Sequence, residues 1–249
     1  MSLTKYLLFK YLRFDKTQPF IMLSALLAFL GVGVGLMVLI VAMAIMNGFD
    51  KEFERKLFTM NYPITILSAI RGNIDESDVS ELKQKFPNLK FSPYIMSQVI
   101  IKGANSFEGG LLFGVNSADE KQINSVVAAG LEGRELDGYG LLVGQGVKNE
   151  MMINENDKLT LIFTKNDPSG FALTPKMKRF DVVSSFSSGL VAYDKSYLYT
   201  SVEALRKILE YDEGKFDGIH VFSDDPFADI EKISRELRLG QKAIGWWQQ

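Results

Sequence analysis

From Phe20 to Met46 apolar residues fill nearly every position and no charged side chain occurs. As a helix this run of 27 residues is about 40 Å long, more than the roughly 30 Å of a bilayer's hydrocarbon core. It lacks the polar face that a helix of a soluble protein keeps. It also exceeds the roughly 7–15 apolar residues of an export signal. Ala42-Met43-Ala44 does match the small-x-small pattern of signal cleavage, but the length of the run favours a permanent span. The pattern predicts a transmembrane helix over 20–48, opened by Pro19, whose missing N–H costs little at a helix start. Phe49, Phe53 and Leu57 recur at i, i+4 and i+8, so the helix is expected to continue as a stalk over 49–61 until Asn61-Tyr62-Pro63 stops it. A stiff helix of this kind couples the span to whatever follows.

Beyond Tyr62 the periodicity changes. Alternating or β-rich runs predict strands over 63–69, 90–103, 108–115, 157–163, 178–186, 196–201 and 218–223. Helical patterns cover 76–86, 116–127, 201–211 and 226–238, and 140–151 reads as a short strand turning into a helix. Strands interrupted by single helices give an α+β fold with mixed sheets, here one domain over 62–249. Residues 1–19 read as an amphipathic segment, with Tyr6, Leu7, Phe9 and Leu12 set against Lys5, Lys10 and Arg13.

Charge sets the expected orientation. Lys5, Lys10, Arg13 and Lys16 against Asp15 leave a net +3 before the span, whereas three acids and three bases balance in the first residues after it. The basic side stays in the cytoplasm, which puts the N-terminus there and the main domain outside. Without those five residues the chain keeps 24 basic and 29 acidic side chains, which gives no basic surface for nucleic acid. There is no cysteine, so disulfides and thiolate metal sites are excluded.

Candidate chemistry is sparse. His220 is the only histidine, and the alternation Ile219-His220-Val221-Phe222 places it on the polar face of its strand. A catalytic role would need a nucleophile and an orienting acid supplied by the fold. With no second histidine, a metal site is not expected either. The serine cluster at 183–189 lacks the G-x-S-x-G elbow. Gly144 and Gly146 resemble the start of a dinucleotide fingerprint, but Asn149 stands where the third glycine belongs, so a tight strand-to-helix turn is expected. Asp225 before Pro226 reads as a helix cap. No catalytic residue, metal or cofactor is assigned to the chain.

Two features point to partners. Gly31 and Gly35, continued by Ala28 and Ser24, form a small-residue stripe on which another membrane helix can pack closely. The segment 164–178 shows no regular pattern and contains Phe171, Leu173 and Met177 beside Pro175, Lys176 and Lys178. Long loops in compact domains are often functional, so this one is a candidate for binding a protein partner.

The opening FKYLRFDKTQPFIMLSALLAFLGVGVGLMVLIVAMAIMNGFDKEF, the stretch LTPKMKRFDVVSSFSSGLVAYDKSYLYTSVEAL and the helix DDPFADIEKISRELR together resemble one family. It is the permease subunits of the lipoprotein-releasing ABC transporter (LolC/LolE type), within the wider MacB-like and FtsX-like permease class. The resemblance covers nearly the whole chain. It implies a four-span protein whose periplasmic domain lies between the first and second spans, with GWWQQ just before the second. It further implies extraction of lipoproteins from the inner membrane, a cytoplasmic ATPase subunit, a second permease subunit and a soluble periplasmic lipoprotein carrier. The carrier-gripping Hook loop of LolC-type subunits falls at 166–178. Met43 and Met46, being adaptable and unbranched, are candidates for contact with lipoprotein acyl chains. The competing expectations are a MacB-like or FtsX-like permease, a single-span ligand sensor, and a membrane-anchored hydrolase using His220.

Overall fold

A computed structural model describes Tyr6 and residues 19–70, 73–103, 106–163 and 175–248, with the side chains of 19, 21, 22 and 50–59 excepted. The amphipathic segment expected over 1–19 and most of the loop expected over 164–178 lie outside the described residues. Two compact units are present, Met1–Glu54 and Arg55–Gln249.

The first unit holds most of α1 (Pro19–Asn61), a helix of 43 residues. Its stretch Leu23–Phe49, with a mean hydropathy of 2.7, is among the described residues the one helix long and apolar enough to cross a membrane.

The second unit is α+β. Its strands are β1 (Ile64–Ser68), β2 (Ile74–Asp75), β3 (Lys90–Lys102), β4 (Phe107–Val115), β5 (Gly140–Gly144), β6 (Lys158–Phe163), β7 (Lys176–Phe186), β8 (Tyr197–Ser201), β9 (Lys215–Phe216), β10 (Gly218–Phe222) and β11 (Gln241–Gly245). Its helices are α2 (Glu76–Lys85), α3 (Ser117–Ile123), α4 (Ser125–Leu131), α5 (Gln145–Met151), α6 (Val191–Ser196), α7 (Val202–Leu209) and α8 (Pro226–Glu236). Nine strands form one mixed sheet in the order β11-β1-β10-β3-β4-β8-β5-β7-β6, while β2 and β9 pair separately.

The long strand β3 organises this sheet. Its first half pairs with β10, from Lys90↔Phe222 to Tyr94↔Gly218. Its second half pairs on the same edge with β6, from Val99↔Phe163 to Lys102↔Thr160. That pairing closes β3-β4-β8-β5-β7-β6 into a ring. Inside it lie Val99, Ile101, Leu112, Leu141, Val143, Leu161, Phe163, Phe180 and Leu198, all buried in one apolar cluster. On the opposite face Val127 and Leu131 of α4 cover Phe113, Leu142, Phe186 and Tyr199, forming a second cluster that includes Met60.

The helix expected over 116–127 is two helices. Asn124 ends α3 and caps α4, its Oδ1 accepting from the amides of Val126 and Val127 at 3.0 and 3.1 Å. An asparagine side chain that satisfies the next helix's first N–H groups terminates one helix and starts another. Asp225 does cap α8, with Pro226 at its start. The Gly144-x-Gly146 pair is a strand-to-helix turn made for close packing. Gly144 has ordinary extended backbone angles, and a β-carbon there would come within 2.7 Å of the carbonyl carbon of Asp194.

Candidate functional site

The polar position assigned to His220 is corrected by the structure. Its side chain is buried, 3% exposed, between the rings of Tyr62 and Tyr94, with centroids 3.5 and 4.1 Å away. The alternation along β10 is genuine, but both of its faces are covered. Ile219 and Val221 enter the first apolar cluster, while His220 meets the aromatic rings and α3 on the other side.

A polar network surrounds it. Glu120 of α3 is wholly buried. Its Oε1 accepts from the Tyr62 hydroxyl and its Oε2 from Ser92 Oγ at 2.7 Å. Asn124 Nδ2 donates to the Tyr62 oxygen at 3.0 Å, and the Tyr199 hydroxyl lies 3.4 Å from it. His220 Nδ1 stands 3.8 Å from Glu120 Oε2, too far for a hydrogen bond, and has no other partner among the described residues. Burial holds the imidazole below its ordinary pKa, against the opposing pull of Glu120. Burial also raises the Tyr62 and Tyr199 hydroxyls well above theirs, and the neighbouring Glu120 adds to it.

Histidine, carboxylate and serine therefore meet, but not as a catalytic relay. A relay needs the imidazole between acid and nucleophile. Here Ser92 and His220 face the same oxygen of Glu120, and all three are buried. The serine cluster is likewise structural. Asp194 Oδ1 accepts from the Ser188 amide at 2.7 Å and its hydroxyl at 2.6 Å. Among the described residues no three His, Cys, Asp or Glu are grouped to hold a metal ion.

The exposed candidate surface lies on the outer face of the ring. The registers Ile100↔Gly109, Ile100↔Ile162 and Ile162↔Met177 set these residues side by side across β4, β3, β6 and β7. Met177 is 60% exposed, Phe107 62% and Ile100 38%, whereas Ile162 between Ile100 and Met177 is buried at 8%. An open groove of about 460 Å³ runs beside this row, lined by Gln98, Ile100, Gly109, Leu111 and Ser196 among others. Gly109 bares the backbone there, so the groove floor stays low.

The predicted binding loop follows β6 and precedes β7 in the chain, and its membership is corrected. Lys176, Met177 and Lys178 open β7 instead of belonging to a loop. Lys176 pairs with Glu210, and Lys178 Nζ lies 3.8 Å above the Tyr139 ring, so both cations are tied to their own domain. Pro175 precedes the strand and is exposed, whereas Phe171 and Leu173 lie outside the described residues. On α1, Ser24, Ala28, Gly31, Gly35, Met43 and Met46 are all exposed, and a β-carbon on either glycine would meet nothing within 4 Å. Sequence reasoning missed the Ile100–Ile162–Met177 row, because only strand register brings these three together.

The fold is one apolar helix, long enough to cross a membrane, leading into a mixed-sheet α+β unit. The chain belongs to the family of the MacB-like periplasmic core domain, whose model matches residues 25–238. It is similar to the lipoprotein-releasing system transmembrane protein LolC of Xylella fastidiosa, 25% identical over 209 residues, covering 82% of this chain and 50% of that protein. It is similar also to the lipoprotein-releasing system transmembrane protein LolE of Haemophilus influenzae, 24% identical over 240 residues, covering 92% of this chain and 56% of that protein. The crystal structure of the periplasmic region of MacB from Actinobacillus actinomycetemcomitans aligns with 74% of this chain and 88% of that one, at 17% identity and a TM-score of 0.48. The chain spans about half the length of the curated relatives it matches.

Proposed function

We propose that the chain is part of a permease subunit of an ABC transporter that extracts lipoproteins from the bacterial inner membrane and hands them to a periplasmic carrier. The observation that carries this reading is the similarity to LolC and LolE proteins of several bacteria over 82–94% of the chain. In this reading the N-terminus is cytoplasmic and the α+β domain periplasmic, as the basic residues before the span suggest. A separate cytoplasmic ATPase subunit hydrolyses ATP, a second permease subunit packs on the Gly31/Gly35 stripe, and this chain performs no covalent chemistry.

The physics of the task fits these parts. Exposing an acyl chain to water costs about 0.8 kcal/mol per CH₂, so the lipid must stay covered from membrane to carrier. Met43 and Met46, both exposed on α1, offer adaptable apolar contacts. Phe171 and Leu173 of the loop, together with the exposed row of Ile100, Phe107 and Met177, form the carrier's docking site.

The test is ATP-dependent transfer of an acylated lipoprotein from proteoliposomes holding the complete transporter to purified carrier. Transfer that needs this subunit supports the reading, and transfer that proceeds equally without it refutes it. The MacB-like family model favours one second reading, a MacB-type efflux permease. In that case loss of the subunit leaves lipoprotein sorting intact and raises sensitivity to exported compounds.

A further inference from the structure

Four consecutive residues at and just after the end of α1, all within the second unit, are each held by a different part of that unit. Met60 is 1% exposed within the cluster of Tyr94, Phe113, Val127 and Tyr199. The Asn61 side-chain oxygen accepts from the Tyr193 hydroxyl. Tyr62 stacks on His220 and donates to Glu120. The Pro63 carbonyl accepts from the Trp246 amide at 3.3 Å. Tyr62 also adopts a left-handed backbone with φ +54°, a conformation that a bulky residue keeps only where its surroundings enforce it.

We infer that Met60–Pro63 form a rigid clamp, and that Glu120 is its positioning residue: through Tyr62, it fixes the direction in which the chain leaves α1. A carboxylate buried at this depth is expensive, and an apolar side chain of similar size would pack there more cheaply. What the carboxylate adds is direction. One oxygen takes the Tyr62 hydroxyl and the other takes Ser92 of β3, while Asn124, the cap of α4, holds the same hydroxyl from behind. An apolar contact could slide, but this arrangement satisfies its donors in one geometry only. A displacement of the last turn of α1 is therefore passed to α3, α4, β3 and β10 together instead of being absorbed in a hinge. The use of that coupling in transport rests on the function proposed above, whereas the clamp itself does not.

The test is amide hydrogen exchange on the full chain in lipid nanodiscs, which requires no lipoprotein and so stands or falls apart from the transport reading. In Glu120→Ala the amides of residues 60–62 and 64 are expected to exchange at least tenfold faster, with those of β5 and β7 unchanged. Unchanged exchange at 60–62 and 64 overturns the clamp. Uniform acceleration across the second unit also overturns it, because Glu120 would then be an ordinary core residue. If Glu120→Ala does not fold, Tyr62→Phe decides. It keeps the ring stack and removes only the hydroxyl, so faster exchange confined to 60–62 and 64 supports the clamp and its absence refutes it.

Discussion

Replacing Gly144 with alanine tests the packing of the β5–α5 turn against α6. Gly144 needs no special backbone angle, with φ −65° and ψ 146°, so the added methyl acts through space alone. It would lie 2.7 Å from the carbonyl carbon of Asp194 and 2.9 Å from its Cα, well inside van der Waals contact. Those atoms are backbone, and they belong to the helix whose Asp194 carboxylate holds Ser188 at 2.6 Å. Relief thus requires moving α6 as a body. Overpacking of a well-filled interior costs about 1–3 kcal/mol, and a rigid backbone neighbour places this case at roughly 2–3 kcal/mol. For a domain of roughly 200 residues that lowers the midpoint of thermal unfolding by about 4–12 °C. Gly109→Ala is the control, since nothing lies within 4 Å of its β-carbon position. It should leave the midpoint unchanged or slightly raised. The assay is thermal unfolding of the full chain in detergent, followed by circular dichroism. A Gly144→Ala midpoint equal to that of the parent would refute the claim that these elements are in rigid contact.

Stability should fall as pH drops below about 6.5, because burial lowers the folded pKa of His220 beneath its unfolded value and the unfolded chain then binds the extra proton. The slope reaches at most about 1.4 kcal/mol per pH unit, and His220→Phe should flatten it in urea unfolding at pH 7.5 and 5. Asp194→Ala strands the buried Ser188 amide and should cost about 1–3 kcal/mol, read from the urea midpoint, with little further loss on adding Ser188→Ala. In the complete transporter Gly31→Leu or Gly35→Leu should reduce co-purification of the second permease subunit, and unchanged recovery of both variants would reduce the stripe to coincidence. Phe171→Ala with Leu173→Ala should weaken carrier binding by at least about 1 kcal/mol without loss of folding, measured by calorimetry with purified carrier.

What the residues dictate by themselves is everything set within a few positions along the chain. The uncharged run from Phe20 yields a helix long enough to span because length and hydropathy are local properties. The strands β1, β3, β4 and β6 start within a residue of their predicted positions because period-2 alternation is local too. So is the Asp225-Pro226 cap. Tertiary structure decided the rest. Strands β2 and β9 have two residues each, too short for a pattern to stand out, and β11, with the pattern QKAIG, takes its place at the sheet edge by pairing with β1. Closure of the ring depends on β3 pairing with β10 and β6 along one edge, a long-range choice that no window of sequence contains. The burial of His220 is the clearest case. Alternation along β10 divides its residues between two faces, but whether the second face meets water depends on α3 and Tyr62, 100 and 158 residues away from it in the chain at Glu120 and Tyr62. Hydrophobic periodicity reports which side chains share a face, and only the packing of distant elements determines what that face touches.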